Sequence, residues 1–378
     1  MIPLLFAAHY DPTTQQYPAR LSLGRLSDAL SCIVTESLDG CYQLEMTYPV
    51  DGIYTAQLMQ PCTIAVLRPY ADGNEFKREL AWFDVYSRTI ENGIVTIYAY
   101  HISYRLGQVV CVRVPSAGYT IGGALDMIKR NIMPTNTYAN IIRITSDSIS
   151  LDPSNNFEST EVKSAREYLF DDTYSVRKFF NAEAVFHGID LRFVQQRGED
   201  RGVEIRYGKN LTGGTITKDE TGISAGVYPY WKGNVDGLAR TVLSDTVVYP
   251  TTSAGAVPVL AVDFSAYFQT EPSRTDLKAL AKQYLDENSP WLARLTANIT
   301  FSPEWYQQGS AIREIIDLGD TVTVFYGDAD LAGEKMRVVQ IKYNVLLEQF
   351  SEYTLGELQK QYAVTSRDGI SATRQIMA

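Results

Sequence analysis

Cysteine and histidine are scarce in this chain of 378 residues, with four of the first and three of the second. A structural zinc site needs clustered ligands of the Cys-x-x-Cys kind, and Cys32, Cys41, Cys62 and Cys111 have no such spacing. They read instead as small buried side chains in strands, reduced in a cytosolic setting. Positive charge is also short: 34 Lys and Arg stand against 44 Asp and Glu, a formal net charge of -10. No cationic excess is available to release counterions from a phosphate backbone, which argues against nucleic acid as a direct ligand. Long apolar runs are missing as well, because the stretch 254–262 is short and interrupted by Pro258, so no membrane-spanning segment is expected. The opening Ile2, Leu4, Leu5 and Phe6 have no basic segment ahead of them and meet His9 and Asp11 too soon for a signal peptide. A protein made and folded in the cytosol is the expectation.

Local signatures of catalysis are missing too. There is no His-Glu-x-x-His, no phosphate-binding glycine loop and no EF-hand. His9, His101 and His187 lie far apart, and His101, at the end of an apolar alternation, reads as a hydrogen-bonded core or rim residue. Glu199 and Asp200 offer the paired carboxylates of glycoside hydrolysis, but Arg197 and Arg201 flank them and a charge cluster in a turn explains them better. The Tyr228, Tyr230 and Trp231 cluster could stack on a sugar, and interdomain packing is the preferred reading. No catalytic, cofactor-binding or metal-ligating residue is assigned, and no cofactor is expected.

What the chain does have is aromatic weight, 25 Tyr and 14 Phe, and many short alternating segments, a folded and β-leaning composition. Its length suggests two to three domains. Tyr42, Leu44, Met46 and Tyr48 alternate strictly with Gln43, Glu45 and Thr47, and Asp39-Gly40 separates them from a strand at 32–35. A second hairpin, 82–90 with 94–100, closes on Asn92-Gly93. Both belong to one small sheet or barrel. Helical spacing predicts helices within 117–130, from Ser175 towards Asn181, and at Leu277, Leu280, Ala281, Tyr284 and Leu285. Strands are expected at 184–194 with a turn at His187-Gly188, at 203–207 after Arg197-Gly198, and at 321–326 and 338–343. The Gly-, Thr- and Ser-rich stretch 213–226 suits a long hairpin or a mobile loop, and 357–378 is a polar tail.

The run 197–211, with Arg197-Gly198-Glu199-Asp200-Arg201-Gly202 followed by Val203-Glu204-Ile205-Arg206-Tyr207-Gly208, resembles a segment of the siphophage tail-associated proteins, also called the phage minor structural protein or prophage endopeptidase tail family. Segments in the same order extend the resemblance to about Gly356: Leu26-Ser27-Asp28-Ala29 with 32–35, Gly40 and 42–49, then 98–104, Ser164-Ala165-Arg166-Glu167, 228–231, Asp263-Phe264-Ser265, Leu318-Gly319-Asp320-Thr321-Val322, and 343–356. One departure is Asn181-Ala182-Glu183-Ala184, where the family tends to place a Gly-Gly pair.

The resemblance implies an α+β, mainly β fold like the central baseplate hub of contractile-tail phages, with two tube-like β-barrel domains and intervening α/β domains. The expected divisions are an N-terminal barrel over 1–112, an α/β domain over 113–206, a second barrel over 207–265 and 315–356, a helix-containing insertion over 266–314, and the tail 357–378. It implies a non-enzymatic homotrimer at the virion tail tip, synthesised in the bacterial host cytoplasm. Its partners would be the distal tail protein, the tape measure protein, receptor-binding or fibre proteins and the host cell surface, with DNA passing through without specific binding. The endopeptidase activity in the family label has no residues here to carry it. Competing readings are a cell-wall-degrading hydrolase and a host-surface carbohydrate binder. Arg197, Asp200, Arg201 and Arg206 are the expected subunit-interface residues, because the resemblance peaks there and mixed charge crowds the segment.

Overall fold

The computed structural model describes residues 1–8, 10–11, 22–72, 75–133, 142–151, 153, 156–172, 174–206, 209–219, 224–250, 259–265, 268, 270–288, 294–301, 304–307, 310–326 and 331–356. The expected tail 357–378 lies outside them. Strict alternation in the first third translates directly into a half-buried sheet: Tyr42, Leu44, Met46 and Tyr48 are buried, while Gln43, Glu45 and Thr47 between them are not. The strands are β1 (Leu4–Ala7), β2 (Gly24–Arg25), β3 (Ser31–Ser37), β4 (Tyr42–Pro49), β5 (Cys62–Asp72), β6 (Glu75–Glu91) and β7 (Ile94–His101), with a one-turn helix α1 (Thr55–Leu58) between β4 and β5. They lie side by side as β3-β4-β7-β6-β5-β1-β2, every pair antiparallel. Asn92 and Gly93 both take positive φ, 51° and 79°, the backbone a two-residue hairpin requires.

The middle of the chain mixes helices with short sheets. It contains β8 (Val110–Cys111), α2 (Ile121–Arg130), β9 (Ile132–Met133), β10 (Arg143–Ser146), β11 (Lys163–Ser164), α3 (Ala165–Phe170), α4 (Val176–Phe179), β12 (Glu183–His187) and β13 (Asp190–Val194). Two three-stranded sheets result, β11-β8-β9 and β10-β13-β12. Helix α2 begins at Ile121 and not at 117, because the Thr120 hydroxyl caps it by accepting from the Gly123 amide. Helix α3 opens on a full capping box, with Ser164 and Glu167 each accepting from the other's backbone N–H. Asn181 adopts a φ of 47°, in the left-handed region that Asn visits more readily than most residues.

The last part contributes β14 (Asp200–Arg206), β15 (Leu211–Asp219), β16 (Gly226–Val235), β17 (Leu238–Leu243), β18 (Val259–Asp263), α5 (Arg274–Asn288), β19 (Arg294–Phe301), β20 (Glu304–Gln307), β21 (Ser310–Arg313), β22 (Thr321–Tyr326), β23 (Leu331–Asn344) and β24 (Gln349–Gly356). Six of them form the order β14-β22-β23-β24-β19-β15. The two end strands, β14 and β15, are consecutive in the chain, and five Cα steps reach at most about 18 Å. The sheet therefore curls back towards itself. The stretch read as a hairpin or loop at 213–226 begins as strand β15, whose partner β19 lies some eighty residues downstream. No local signal encodes such a pairing.

The two curled halves are one sheet. Gln340 to Asn344 of β23 pair with Ser37 to Ile33 of β3, which makes thirteen strands continuous, and one hydrophobic core runs from Leu5 to Leu355. A second, smaller core lies in the sheet β17-β16-β18 and helix α5, where Leu277, Ala281, Tyr284 and Leu285 pack with Val227, Trp231, Val262 and Phe264. Residues on both sides of the expected boundary at 265/266 thus share this core. Among the described residues strand far outweighs helix, and the fold class is mainly β, as the sequence implied.

Candidate functional site

Two segments singled out in the sequence, 197–202 and 318–322, meet backbone to backbone. Gly198 (φ 80°) and Gly319 (φ 91°) face each other so closely that a Cβ on Gly198 would sit 2.1 Å from the Gly319 carbonyl carbon. Only glycine satisfies both the left-handed backbone and that approach. The contact starts a parallel pairing, since the Thr321 amide donates to the Glu199 carbonyl and β14 then runs beside β22.

Around this contact the charges are buried and paired. The Arg197 guanidinium donates to Glu36 Oε1 at 2.6 Å, and the opposite carboxylate oxygen of Glu36 pairs with Arg68. Glu36 and Arg68 are wholly buried, and Arg68 also lies 3.5 Å from Asp317 and above the Tyr42 ring. Burial pushes the Glu36 carboxyl up, but the Arg197 and Arg68 guanidiniums outweigh it and hold the group below its ordinary range. Glu36 stands on β3 and Arg68 on β5, whereas Asp317 precedes β22. The cluster thus links the N-terminal half of the sheet to the C-terminal half.

A second layer fixes the turn itself. Asp320 accepts from the Glu199 amide (2.8 Å), the Asp317 amide (2.9 Å) and Arg201 Nε (3.0 Å). Its carboxyl is raised by burial despite those donors. Arg337 binds Glu183 through both terminal nitrogens and also donates to the Arg197 carbonyl, and Glu183 in turn accepts from the Arg197 amide. Strands β12, β14, β22 and β23 are tied to β3 and β5 by one connected network.

Of the four expected interface residues, Arg197 lies inside the chain on Glu36, and Arg201 is mostly buried on Asp320. Asp200 pairs at the surface with Lys335 (2.7 Å). Arg206 pairs with Glu204 (2.9 Å) and lies over the Phe325 ring. Glu36, Arg68, Glu183, Asp317 and Arg337 were not read as site residues from sequence. One signal existed: Glu36 falls on the inward side of β3, in step with Val34, where a lone carboxylate demands a buried partner.

The residues considered for chemistry have structural surroundings. His101 is buried, stacked on Tyr42 and edge-on to Phe83 and Phe186. Its Nδ1 accepts from the Ser103 amide and its Nε2 donates to the Gly188 carbonyl, which selects one neutral tautomer. Burial lowers its pKa to about 3. Trp231 is only 3% exposed, too little for a sugar to stack on, and donates from its indole to the Phe268 carbonyl. The Tyr228 hydroxyl is used within the same small domain, on the Ser244 carbonyl. Glu199 and Asp200 do not converge on a cleft; they are the turn into β14.

No family model and no curated protein sequence matches the chain. Solved structures do. A prophage tail protein, gp18, from Listeria monocytogenes EGD-e aligns over 100% of both chains at 13% identity with a TM-score of 0.56. The 43 kDa tail protein of prophage MuSo2 from Shewanella oneidensis covers 97% of this chain and 99% of its own, at 14% identity and a TM-score of 0.57. A Francisella PdpA-VgrG complex aligns with 96% of this chain and 53% of its own, at 13% identity and a TM-score of 0.51. At such identities the likeness is one of fold, and the fold of this chain is the one found in prophage tail proteins.

Proposed function

We propose that this chain is a structural, non-enzymatic hub at a phage tail tip, which closes or adapts the distal end of the tail tube as a homotrimer. The observation that carries the reading is the β3–β23 pairing, which fuses two curled β halves into one sheet within a fold shared end to end with prophage tail proteins. Two tube-like halves per chain give such a fusion a use, because three copies then present six similar surfaces to a sixfold tube. The buried ion-pair network holds the halves at a set angle, as a ring element requires.

On this reading the distal tail protein and the tape measure bind above, receptor-binding or fibre proteins beside or below, and DNA passes through without specific binding during host attachment and ejection. Asp200 and Arg206 keep their charged ends at the surface and reach the subunit boundary, with Arg197 and Arg201 setting the loop that carries them. His101 and Trp231, two of the residues on which the hydrolase and carbohydrate-binder readings drew, are packed in cores, which supports the structural reading. Gold labelling of a tagged chain on intact particles tests the proposal: label at the distal end of the tail is the expected result. Label along the whole tube, or on the head, overturns it. Purified chain is also expected to leave the turbidity of host cell walls unchanged.

A further inference from the structure

Two apolar surfaces stand at different places on the chain, and neither is explained by the network above. The first is the end of the N-terminal half where β3 starts, β4 ends and the β6–β7 hairpin turns. Leu30 is 58% exposed there, Ile53 77% and Ile90 56%, with Val50 and Ile94 beside them. Main-chain contacts hold these together: the Leu30 amide bonds to the Thr47 carbonyl, the Val50 amide to the Gly93 carbonyl, and Ile94 pairs with both Pro49 and Glu91. Of the charges at this tip, Asp28 is taken by the Tyr48 hydroxyl and the Ile53 amide, and Arg88 by the carbonyls of Leu58 and Gln60. Asp51 and Glu91 remain exposed, as does Arg25 on β2.

The second surface is the outer face of the short sheet β11-β8-β9. Register places Val110 beside Met133, and Val112 two residues along the same face, next to Val162, which precedes β11. Cross-strand neighbours of this kind lie about 5 Å apart, yet Met133 is 56% exposed and Val162 68%, while Cys111 and Ile132 of the same strands point into the core. The charges here have the opposite sign. Glu161 is paired with Lys163, Glu167 caps α3, and Lys129 donates to the Ile144 carbonyl. Arg113 and Arg130 are exposed next to the apolar strip, and so is Asp126, one turn before Arg130 on α2, which leaves the balance of these three positive.

We infer that the acidic apolar tip of one copy docks on the basic apolar face of the next, a head-to-tail contact between copies of this chain. Tip against tip would oppose Asp51 and Glu91 to themselves, and face against face would bring Arg113 and Arg130 together, whereas the mixed contact pairs apolar with apolar and the acidic tip with the more basic face. A heterologous contact closes into a ring when its rotation permits and otherwise grows without end. The inference rests on the homotrimer reading and names surfaces for it, separate from the 197–206 loop.

The test uses the full-length chain with Ile53→Asp on the tip and Val112→Asp on the face, both at exposed positions, with unfolding curves to verify the fold. Mass by light scattering is expected to give an oligomer for wild type, monomers for each variant alone, and a species of two chains when the variants are mixed in equal amounts, because one intact tip then meets one intact face. Glu91→Lys is expected to weaken self-association about tenfold and Arg130→Glu to restore it in the double variant. A Val112→Asp chain that still pairs with itself, variants that assemble like wild type, or a wild type that stays monomeric at all soluble concentrations each overturns the inference. The last result leaves the tail-tip reading standing if labelled particles still carry the chain distally.

Discussion

His101 and Glu36 show how burial turns a chemically capable side chain into a structural one. His101 is held neutral by its burial, with a pKa of about 3 against an ordinary 6.5. The unfolded chain takes up a proton below that ordinary value and the folded chain does not. Stability from this group is therefore complete above pH 6.5 and is lost as pH falls from there towards 3, at up to about 1.4 kcal/mol per pH unit. His101→Gln is expected to flatten the acid limb of a denaturation-midpoint series by one proton; an unchanged limb would mean His101 is protonated in the fold. Glu36 is the reverse case, a charge kept charged by Arg68 and Arg197. Arg197→Met leaves the carboxylate short of one partner and is expected to cost about 3–5 kcal/mol in urea unfolding. The combined Glu36→Leu and Arg197→Met change should cost less than the sum of the two single changes, because the orphaned charge is gone.

Among the elements, turns were legible and pairings were not. Asn92-Gly93, Asp39-Gly40 and Arg197-Gly198 all mark observed turns, because positive φ leaves a residue signature wherever it occurs. Yet two such glycines differ in what surrounds them. Gly93→Ala meets no atom within 4 Å and pays only for its φ of 79°, about 1 kcal/mol. Gly198→Ala pays the same conformational cost and drives a methyl into Gly319, so its loss of stability should exceed that of Gly93→Ala by well over 2 kcal/mol. Comparable midpoints for the two variants would contradict the backbone contact. Helix α3 shows a signal present and unread, since Ser164 and Glu167 have the capping-box spacing. Strand β15 carries no comparable mark, because its partner β19 is distant in the chain.

For the whole molecule, the proposals concern assembly and charge. Asp200→Ala together with Arg206→Ala is expected to weaken trimer formation more than monomer folding, whereas Arg201→Ala, which orphans the buried Asp320, is expected to cost folding as well. Thermal and assembly behaviour equal to wild type would sink the boundary role. Three copies at -10 each carry -30, and a channel that passes DNA works best when its wall repels phosphate, since a cationic wall would bind the strand with salt-dependent affinity. The channel-lining faces are therefore expected to be rich in Asp, Glu and neutral polar residues, with Lys and Arg on outer or intersubunit surfaces. Counting charges in a trimer structure checks this, and DNA binding by the trimer at physiological salt would contradict it. By itself the sequence determined the β class, the hairpins and most helices, because alternation, turn chemistry and helical spacing are local properties of neighbouring residues. Only the tertiary structure decided that β3 pairs with β23, that Gly198 lies on Gly319, and that Glu36 sits between Arg68 and Arg197. Those contacts join residues from about thirty to about three hundred positions apart, and their energy exists only once both partners have left water together.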